Sequence, residues 1–231
     1  MGIAENLARV RENVAGAARA AGRDPAAIKI VAITKEATVP AIREAAALGI
    51  TDFGENRVQA ARDKIAEVPG VRWHLVGHLQ ANKARHAVRL FKVIHSLDRP
   101  SLAEELQRRA QQAGRPIEVL VQVNVTGEAT KHGLAPADLF PLLDAVGPLD
   151  HVRVRGLMTI GPLGGDSRPA FARLRELFEQ VRARGFAGVD MEYLSMGMTD
   201  DYPVAVQEGA NLLRIGRAIF QLRGGGVCAG A

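Results

Sequence analysis

The fold prediction starts from the stretch Lys29-Ile30-Val31-Ala32-Ile33-Thr34-Lys35, in which a nearly unbroken apolar run ends on a lysine. Such a run is typical of a strand that is buried on both faces, as in a parallel sheet. Parallel sheets carry their chemistry at the carboxyl ends of the strands, and Lys35 occupies that position. Two interpretations stay open on position alone: a solvated lysine just beyond a strand, or an amine that forms a Schiff base.

Apolar and amphipathic stretches alternate outward from this strand along most of the chain. Strands are predicted at 29–34, 51–54, 73–77, 92–96, 117–125, 152–160, 191–195 and 212–216. Helices are predicted first at 3–21, and then at 40–48, 57–67, 83–90, 102–113, 136–146, 170–184, 201–208 and 218–220.

Eight strand–helix units predict an α/β fold that is a single (β/α)8 TIM barrel with an extra N-terminal helix. The 231 residues suit this fold, whose typical size is about 250 residues. An open doubly wound sheet is the alternative, but the even spacing of the units favours closure. We expect one domain over residues 1–223 and a flexible Gly-rich tail over 224–231.

The composition excludes several classes of protein. The net charge is +5, but acids are mixed with the basic residues, and aromatic residues are only 4%. No nucleic-acid partner is expected, because the chain lacks the aromatic stacking platforms and motifs of such proteins. No apolar run is long enough for a membrane span, and Glu5 and Glu12 argue against a signal peptide. Cys228 is the single cysteine, so we expect no disulfide, no cysteine metal cluster and a cytoplasmic location.

In a closed barrel, residues at the strand ends share one mouth even when they are far apart in the sequence. Reading off these positions gives Lys35, Asn56, His78, Ser96, Asn124, Met158, Ser195 and Arg214. The loops after strands seven and eight commonly hold phosphate in barrels, and 195–201 has hydroxyl groups, a glycine and a following helix start. An ordinary capped turn explains 195–201 equally well. A Schiff-base lysine together with a phosphate site describes pyridoxal 5′-phosphate (PLP).

Several motifs together resemble the pyridoxal phosphate homeostasis protein family, single-domain relatives of the alanine racemase N-terminal barrel. The resemblance covers roughly residues 3–221 and carries these motifs in order: Ala32-Ile33-Thr34-Lys35, Phe53-Gly54-Glu55-Asn56, Trp73-His74-Leu75-Val76-Gly77-His78-Leu79-Gln80-Ala81-Asn82-Lys83, Gly156-Leu157-Met158-Thr159-Ile160, Ser195-Met196-Gly197-Met198 and Arg214-Ile215-Gly216. It implies a PLP-binding protein, with PLP as its cofactor and an alanine-racemase-like fold.

Carried over residue by residue, the resemblance implies a Schiff base between PLP and Lys35. The other cofactor contacts that it implies are Ser195, Thr199 and the backbone of Gly216 and Arg217 for the phosphate, Arg214 for the pyridine nitrogen, and Asn56 and Met158 for the ring. His78 belongs to the pattern without an assigned role, and we favour a structural one.

The sequence departs from the family pattern at two positions. Arg217 stands where the family usually has a small hydroxyl residue, and Gln221 stands where a glycine is usual. The first departure bears on the details of phosphate binding. The second bears on how the chain leaves the barrel.

The resemblance implies a carrier and regulator of the vitamin B6 pool, without efficient turnover and with no catalytic residue. An arginine beside the pyridine nitrogen disfavours its protonation, which weakens the ring as an electron sink. Related racemases add a catalytic tyrosine from a second domain, whereas Tyr193 and Tyr202 match no such role. We expect a monomer whose partners are PLP and PLP-dependent apo-enzymes. The alternatives are a weak PLP-dependent amino-acid racemase or lyase, or a barrel enzyme that acts on a sugar phosphate.

Overall fold

Eight parallel strands close into a barrel in sequence order in the computed structural model, which describes residues 2–221. The strands are β1 (Lys29–Ile33), β2 (Asp52–Glu55), β3 (Arg72–Leu75), β4 (Val93–Leu97), β5 (Ile117–Gln122), β6 (Val152–Met158), β7 (Val189–Ser195) and β8 (Leu212–Ile215). β8 pairs with β1, so Lys29 lies opposite Leu212 and Ala32 opposite Ile215. This pairing confirms the predicted TIM barrel over an open sheet.

Helices follow the strands on the outside of the barrel. They are α1 (Ile3–Ala20), α2 (Val39–Ala47), α3 (Val58–Glu67), α4 (Ala84–Leu90), α5 (Pro100–Gln112), α6 (Leu139–Val146), α7 (Arg168–Arg184), α8 (Tyr202–Gln207) and α9 (Arg217–Phe220). Short 3₁₀ turns occur at Pro25–Ala27, Ala81–Lys83 and Pro136–Asp138. None of the helices in residues 2–221 is both long and apolar enough to cross a membrane. The predicted Gly-rich tail, 224–231, and its Cys228 lie outside the described residues.

The extra helix α1 fixes the chain where it leaves the last strand. Its apolar residues recur every three or four positions, at Ile3, Leu7, Val10 and Val14, and all four are buried. This face packs against α8 and α9. Asn6, buried on the same helix, donates to the carbonyls of Ile219 and Gln221 at 3.1 and 3.2 Å. Helix α1 therefore holds α9 in place beside the mouth of the barrel.

The core has two parts, as expected for a barrel whose interior is filled by side chains. The larger part lies between the strands and the surrounding helices. The smaller part fills the inside of the barrel and consists of Val31, Val93, Leu120, Met158, Tyr193 and Leu212. Ile33 and Ile160 pack on top of this inner cluster, so the barrel interior is closed beneath its mouth.

The two longest predicted strands end earlier than the sequence predicts. The prediction extends β5 to 125, but the strand ends at Gln122, because the Asn124 amide donates to the carbonyls of Glu128 and Lys131 and closes a turn. The prediction extends β6 to 160, but it ends at Met158. Beyond β5 the backbone bonds to Leu134 of its own loop, whose N–H donates to the Gln122 carbonyl and whose carbonyl accepts from the Asn124 N–H, both at 2.9 Å. Apolar character alone did not predict this path.

Candidate functional site

The carboxyl ends of the strands surround a cavity of about 630 Å³. Six of the eight cofactor-binding candidates line it: Lys35, Asn56, Thr199, Arg214, Gly216 and Arg217. The other two, Met158 and Ser195, are fully buried and are not among the residues that line the cavity. The fold therefore brings most of the candidates to one place, although they follow four different strands.

The backbone that carries Lys35 is held by a buried ion pair. Lys64 Nζ donates to the Thr34 carbonyl at 2.5 Å and to Glu55 Oε1 at 2.7 Å, while the Thr34 hydroxyl donates to the same carboxylate at 2.6 Å. The Lys35 side chain itself is 54% exposed, with Nζ 3.3 Å from the Glu36 carboxylate. A fixed backbone thus presents a lysine amine that is accessible from the cavity.

Arg214 supplies a buried positive charge on the cavity wall. Its residue is 4% exposed, and its two Nη atoms donate to Ser195 Oγ and to the Thr159 carbonyl, both at 2.7 Å. Burial lowers the pKa of Arg214 to about 10, although the nearby charge of Asp201 acts to raise it. Within the described residues no carboxylate forms an ion pair with this guanidinium. Because the pKa stays well above 7, Arg214 is a cation at neutral pH and can face an electron-rich ligand atom.

Ser195 and Met158 lie beneath the mouth and not on its wall. Met158 belongs to the apolar cluster inside the barrel. The Ser195 hydroxyl is completely buried, 2.7 Å from Arg214 Nη1 and 3.2 Å from His95 Nδ1. The geometry therefore puts Ser195 behind Arg214, whereas the resemblance implied a contact with a phosphate group.

The loops after β7 and β8 meet at the cavity through Thr199. Its hydroxyl accepts the backbone N–H of Ala218 at 3.4 Å. Gly216 lies so close to β1 that an added Cβ would be 3.2 Å from the Ile33 carbonyl oxygen. Arg217 forms an ion pair with Asp200 at the rim, and both side chains are largely exposed. These loops offer a hydroxyl group, backbone N–H groups and a partly neutralised guanidinium.

Asn56 is positioned by a close approach of two strand ends. It follows β2, and its carbonyl oxygen would lie only 2.1 Å from a Cβ added at Gly77. Any larger residue at position 77 would therefore push Asn56 away. Both residues line the cavity.

Sequence reasoning missed several residues of the cavity wall. Apolar contacts come from Ile33, Val76, Ile160 and Phe220, and polar ones from Gln122, Thr130, Lys131 and His132. Ile160 follows Met158 by two residues, so alternation along an extended chain could have indicated it. The residues from the loop after β5 could not be found in this way, because the loop folds back through contacts of Asn124.

His78 lines the cavity as well, as its position at a strand end predicted, and the structural role that we favoured for it stays a prediction. Its ring stacks on His132 with centroids 4.0 Å apart, and its Nδ1 lies 3.5 Å from the Asp98 carboxylate. Burial, and then the neighbouring His132, lower the pKa of His78, so His78 stays neutral more readily than a free histidine. Among the described residues no cluster of three or more His, Cys, Asp or Glu side chains could hold a metal ion.

Comparison with known families identifies relatives of the whole chain. A family model described as the alanine racemase N-terminal domain matches residues 6–224. A pyridoxal phosphate homeostasis protein from Pseudomonas aeruginosa is 43% identical over 226 residues, covering 96% of this chain and 96% of the relative. Another of the same name, from Aquifex aeolicus, is 39% identical over 225 residues, covering 95% and 98%.

Solved structures show the same barrel. PipY from Synechococcus elongatus with PLP bound superposes with a TM-score of 0.82 at 39% identity, covering 94% of this chain and 99% of PipY. Alanine racemase from Clostridium difficile superposes with a TM-score of 0.74 at 10% identity, covering 94% of this chain and 55% of the racemase. At that identity the likeness to the racemase concerns the fold alone.

Proposed function

The chain belongs to the pyridoxal phosphate homeostasis protein family, and from this premise we propose that it binds PLP at the barrel mouth and takes part in intracellular PLP homeostasis. The observation that carries the proposal is that Lys35, accessible to solvent, and Arg214, buried and cationic, line one cavity. A lysine amine can condense with an aldehyde, releasing water, to form a Schiff base. The PLP-bound structure of PipY, 39% identical, supports the same ligand here.

The residues of the cavity fit the groups of PLP. The Lys35 amine would hold the aldehyde carbon, and Arg214 would face the pyridine nitrogen. The Thr199 hydroxyl and the backbone N–H groups of Gly216 and Arg217 would hold the phosphate. When bound, PLP supplies an aldehyde that captures amines and a ring that can withdraw electrons.

We assign the phosphate hydroxyl to Thr199 and not to Ser195, because Thr199 lines the cavity and Ser195 does not. For the same reason we propose that the apolar contact to the ring comes from Ile33 and Ile160, which lie above Met158. Asn56 keeps its proposed role beside the ring.

Arg214 also supports a carrier over an efficient enzyme. An arginine retains its proton at neutral pH, and its charge disfavours a proton on a pyridine nitrogen beside it. A ring without that proton withdraws electrons less effectively from a bound amino acid. We therefore propose that this chain stores and releases PLP and does not turn over substrate efficiently.

Neither Tyr193 nor Tyr202 lines the cavity. Tyr193 accepts a hydrogen bond from Lys29 Nζ at 3.0 Å, and Lys29 is the first residue of β1, at the end of the barrel opposite the mouth. Tyr202 accepts from Asn13 of α1 at 2.9 Å. No tyrosine lines the cavity within residues 2–221. This supports the absence of a racemase-type acid–base pair at the site.

A PLP titration followed by visible absorbance tests the proposal. We expect saturable binding with a visible absorption band, its loss in Lys35→Ala, and its retention in Lys92→Ala, which removes an exposed lysine outside the cavity. A racemisation assay with alanine and the PLP-loaded protein should show no efficient turnover. Rapid turnover would establish the alternative, a PLP-dependent racemase or lyase. Absence of PLP binding would favour a barrel enzyme for a sugar phosphate.

Four further expectations remain proposals. The chain would act as a monomer, which is supported by its surface: the only large exposed apolar side chains in residues 2–221 are Leu163 and Met198. Light scattering of the PLP-loaded protein tests this. PLP-dependent apo-enzymes would receive the cofactor. The domain over residues 1–223 and the cytoplasmic location stay predictions.

A further inference from the structure

A chain of polar side chains runs through the inside of the barrel from the cavity wall to the amino ends of the strands. Arg214 Nη1 donates to Ser195 Oγ at 2.7 Å, and this oxygen lies 3.2 Å from His95 Nδ1. His95 Nε2 lies 2.9 Å from His74 Nδ1, and His74 Nε2 lies 2.9 Å from Asp52 Oδ1. Asp52 is the first residue of β2, so it lies at the end of the barrel opposite the cavity.

Asp52 determines the direction of every hydrogen bond in this chain. Burial acts to raise the pKa of Asp52, but the hydrogen bonds from His74 and Thr51 outweigh it and lower the pKa, so Asp52 is a carboxylate. A carboxylate only accepts, so His74 must carry its proton on Nε2.

The same logic continues from one imidazole to the next. Burial lowers the pKa of both histidines, that of His95 strongly, so both rings are neutral. A neutral His74 with its proton on Nε2 accepts at Nδ1, so His95 donates from its own Nε2. His95 Nδ1 then accepts, and the Ser195 hydroxyl must donate to it. Because its proton is directed to His95, Ser195 Oγ acts only as an acceptor toward Arg214 Nη1.

This order matters because no carboxylate within residues 2–221 forms an ion pair with Arg214. The guanidinium is a pure donor, so the atoms it meets on the protein side must all be acceptors. If His95 carried its proton on Nδ1, that N–H would donate to Ser195 Oγ, and the hydroxyl proton would lose its acceptor in a buried site.

We propose that Asp52 positions Arg214 from the opposite end of the barrel, through the three buried side chains between them. The carboxylate orients each donor toward itself, so that the Arg214 guanidinium is held against the cofactor ring by a fixed acceptor. Asp52 is a positioning residue and touches no ligand. The proposal rests on the proposed PLP site for its effect on ligand binding, but the proton positions do not depend on it.

The first test is nitrogen-15 NMR of the imidazole rings in the wild-type protein without ligand. The chemical shifts report which ring nitrogen carries the proton. His74 and His95, assigned with His74→Phe and His95→Phe, should both be neutral and protonated on Nε2 at neutral pH. A proton on Nδ1 of either ring, or a cationic ring, would overturn the proposal whatever the variants do.

The second test compares Asp52→Leu with Asp190→Leu. Asp190 lies near the same end of the barrel and pairs with Arg155. Its removal therefore changes the net charge by the same amount but leaves the hydrogen bonds between Asp52 and Arg214 intact. Asp52→Leu should move the histidine protons from Nε2 to Nδ1, because His74 Nε2–H would otherwise be buried without an acceptor. PLP affinity should fall about tenfold, the order expected for a disturbed hydrogen bond to a charged group.

Two results for a folded Asp52→Leu variant would contradict the proposal. One is that its histidine protons stay on the same nitrogens as in the wild type. The other is that it binds PLP with the same dissociation constant as Asp190→Leu. If Asp52→Leu does not fold, the wild-type NMR measurement still decides it. If the wild-type protein does not bind PLP, the proposed function fails. The NMR measurements still decide the direction of the hydrogen bonds between Asp52 and Arg214. The two failures are therefore distinguishable.

Discussion

Gly77 illustrates how a single residue shapes the site. An added Cβ would lie 2.1 Å from the Asn56 carbonyl oxygen, a separation that backbone atoms cannot tolerate. We therefore expect Gly77→Ala to move Asn56, to lower stability by about 1–3 kcal/mol and to weaken PLP binding. Urea unfolding and a PLP titration measure both effects. Gly16→Ala is the control, because an added Cβ there meets nothing within 4 Å; equal behaviour of the two variants would contradict the prediction.

Arg217 stands where the family usually has a small hydroxyl residue, and its substitution tests what this difference does to PLP binding. Its guanidinium pairs with exposed Asp200, so little of its charge is left for a ligand. We expect Arg217→Thr to weaken PLP binding by about threefold or less at low salt, and the difference to disappear as salt rises. The backbone N–H that would contact the phosphate remains in the variant.

The control for Arg217 is Arg173→Thr, an exposed arginine of α7 paired with Glu176. It should bind PLP as the wild type does at every salt concentration. A large loss of affinity in Arg217→Thr that persists at high salt would mean that the side chain is a main phosphate ligand.

Single positions were predictable only in part. The place of Lys35 at the mouth could be predicted, because a buried strand ends two residues before it. Ser195 and Met158, each the last residue of a strand, were assigned to the mouth in the same way but lie one layer below it. Strands of a barrel are tilted and staggered, so equivalent positions in the sequence stand at different heights along the axis.

At the scale of elements, β1, β2 and α3 are joined by the contacts of Lys64 with Glu55 and Thr34. Lys64→Met should leave the Glu55 carboxylate buried without a cation. We expect a loss of about 2–3 kcal/mol in the free energy of unfolding, below the figure for a fully buried pair because the Lys64 side chain is 17% exposed. Urea unfolding measures it, and Lys92→Met, at an exposed site, is the control.

A double-mutant cycle with Glu55→Gln isolates the pair from other effects of the substitutions. Each single variant should lose more than half of the free energy of unfolding that the double variant loses. Additive losses would mean that the ion pair does not hold β2 against α3. Reduced PLP affinity in Lys64→Met would extend the role of the pair to the placement of Lys35.

Element boundaries were predicted well wherever apolar periodicity and glycine agreed, as in α1 and β8. The loop after β5 could not be predicted, because its path depends on the side chain of Asn124 bonding to carbonyls several residues away. That loop brings Lys131 and His132 to the cavity. The polar residues that this loop adds to the cavity wall, Thr130, Lys131 and His132, thus depend on contacts that leave no periodic signal in the sequence.

At the scale of the whole molecule, the buried histidines predict how stability depends on pH. Burial lowers the pKa of His74 and of His95 below 6.5 in the folded state, and that of His78 as well. As pH falls below 6.5, the unfolded chain takes up protons that the folded chain does not, so unfolding is favoured. The loss is about 1.4 kcal/mol per pH unit for each fully shifted histidine.

Urea unfolding at pH 7.5, 6.5 and 5.5, values chosen to bracket the histidine pKa of about 6.5, checks this dependence. His86→Gln should retain it, because His86 is exposed. His95→Phe should weaken it. A free energy of unfolding that stays constant down to the lowest pH would contradict the neutral, buried state of the two histidines.

Lys35 is the lysine that we propose holds PLP. Two lysines line the cavity, but Lys131 already donates to Glu128 and to the Gly161 carbonyl, at 2.5 and 2.7 Å. The most direct measurement is borohydride reduction of the PLP-loaded protein, followed by digestion and peptide mass spectrometry. We predict that the reduced cofactor is found on the peptide that contains Lys35, and that Lys35→Ala carries none. The assignment would be contradicted if the reduced cofactor were found on Lys131 or another lysine, and if Lys35→Ala carried as much of it as the wild type.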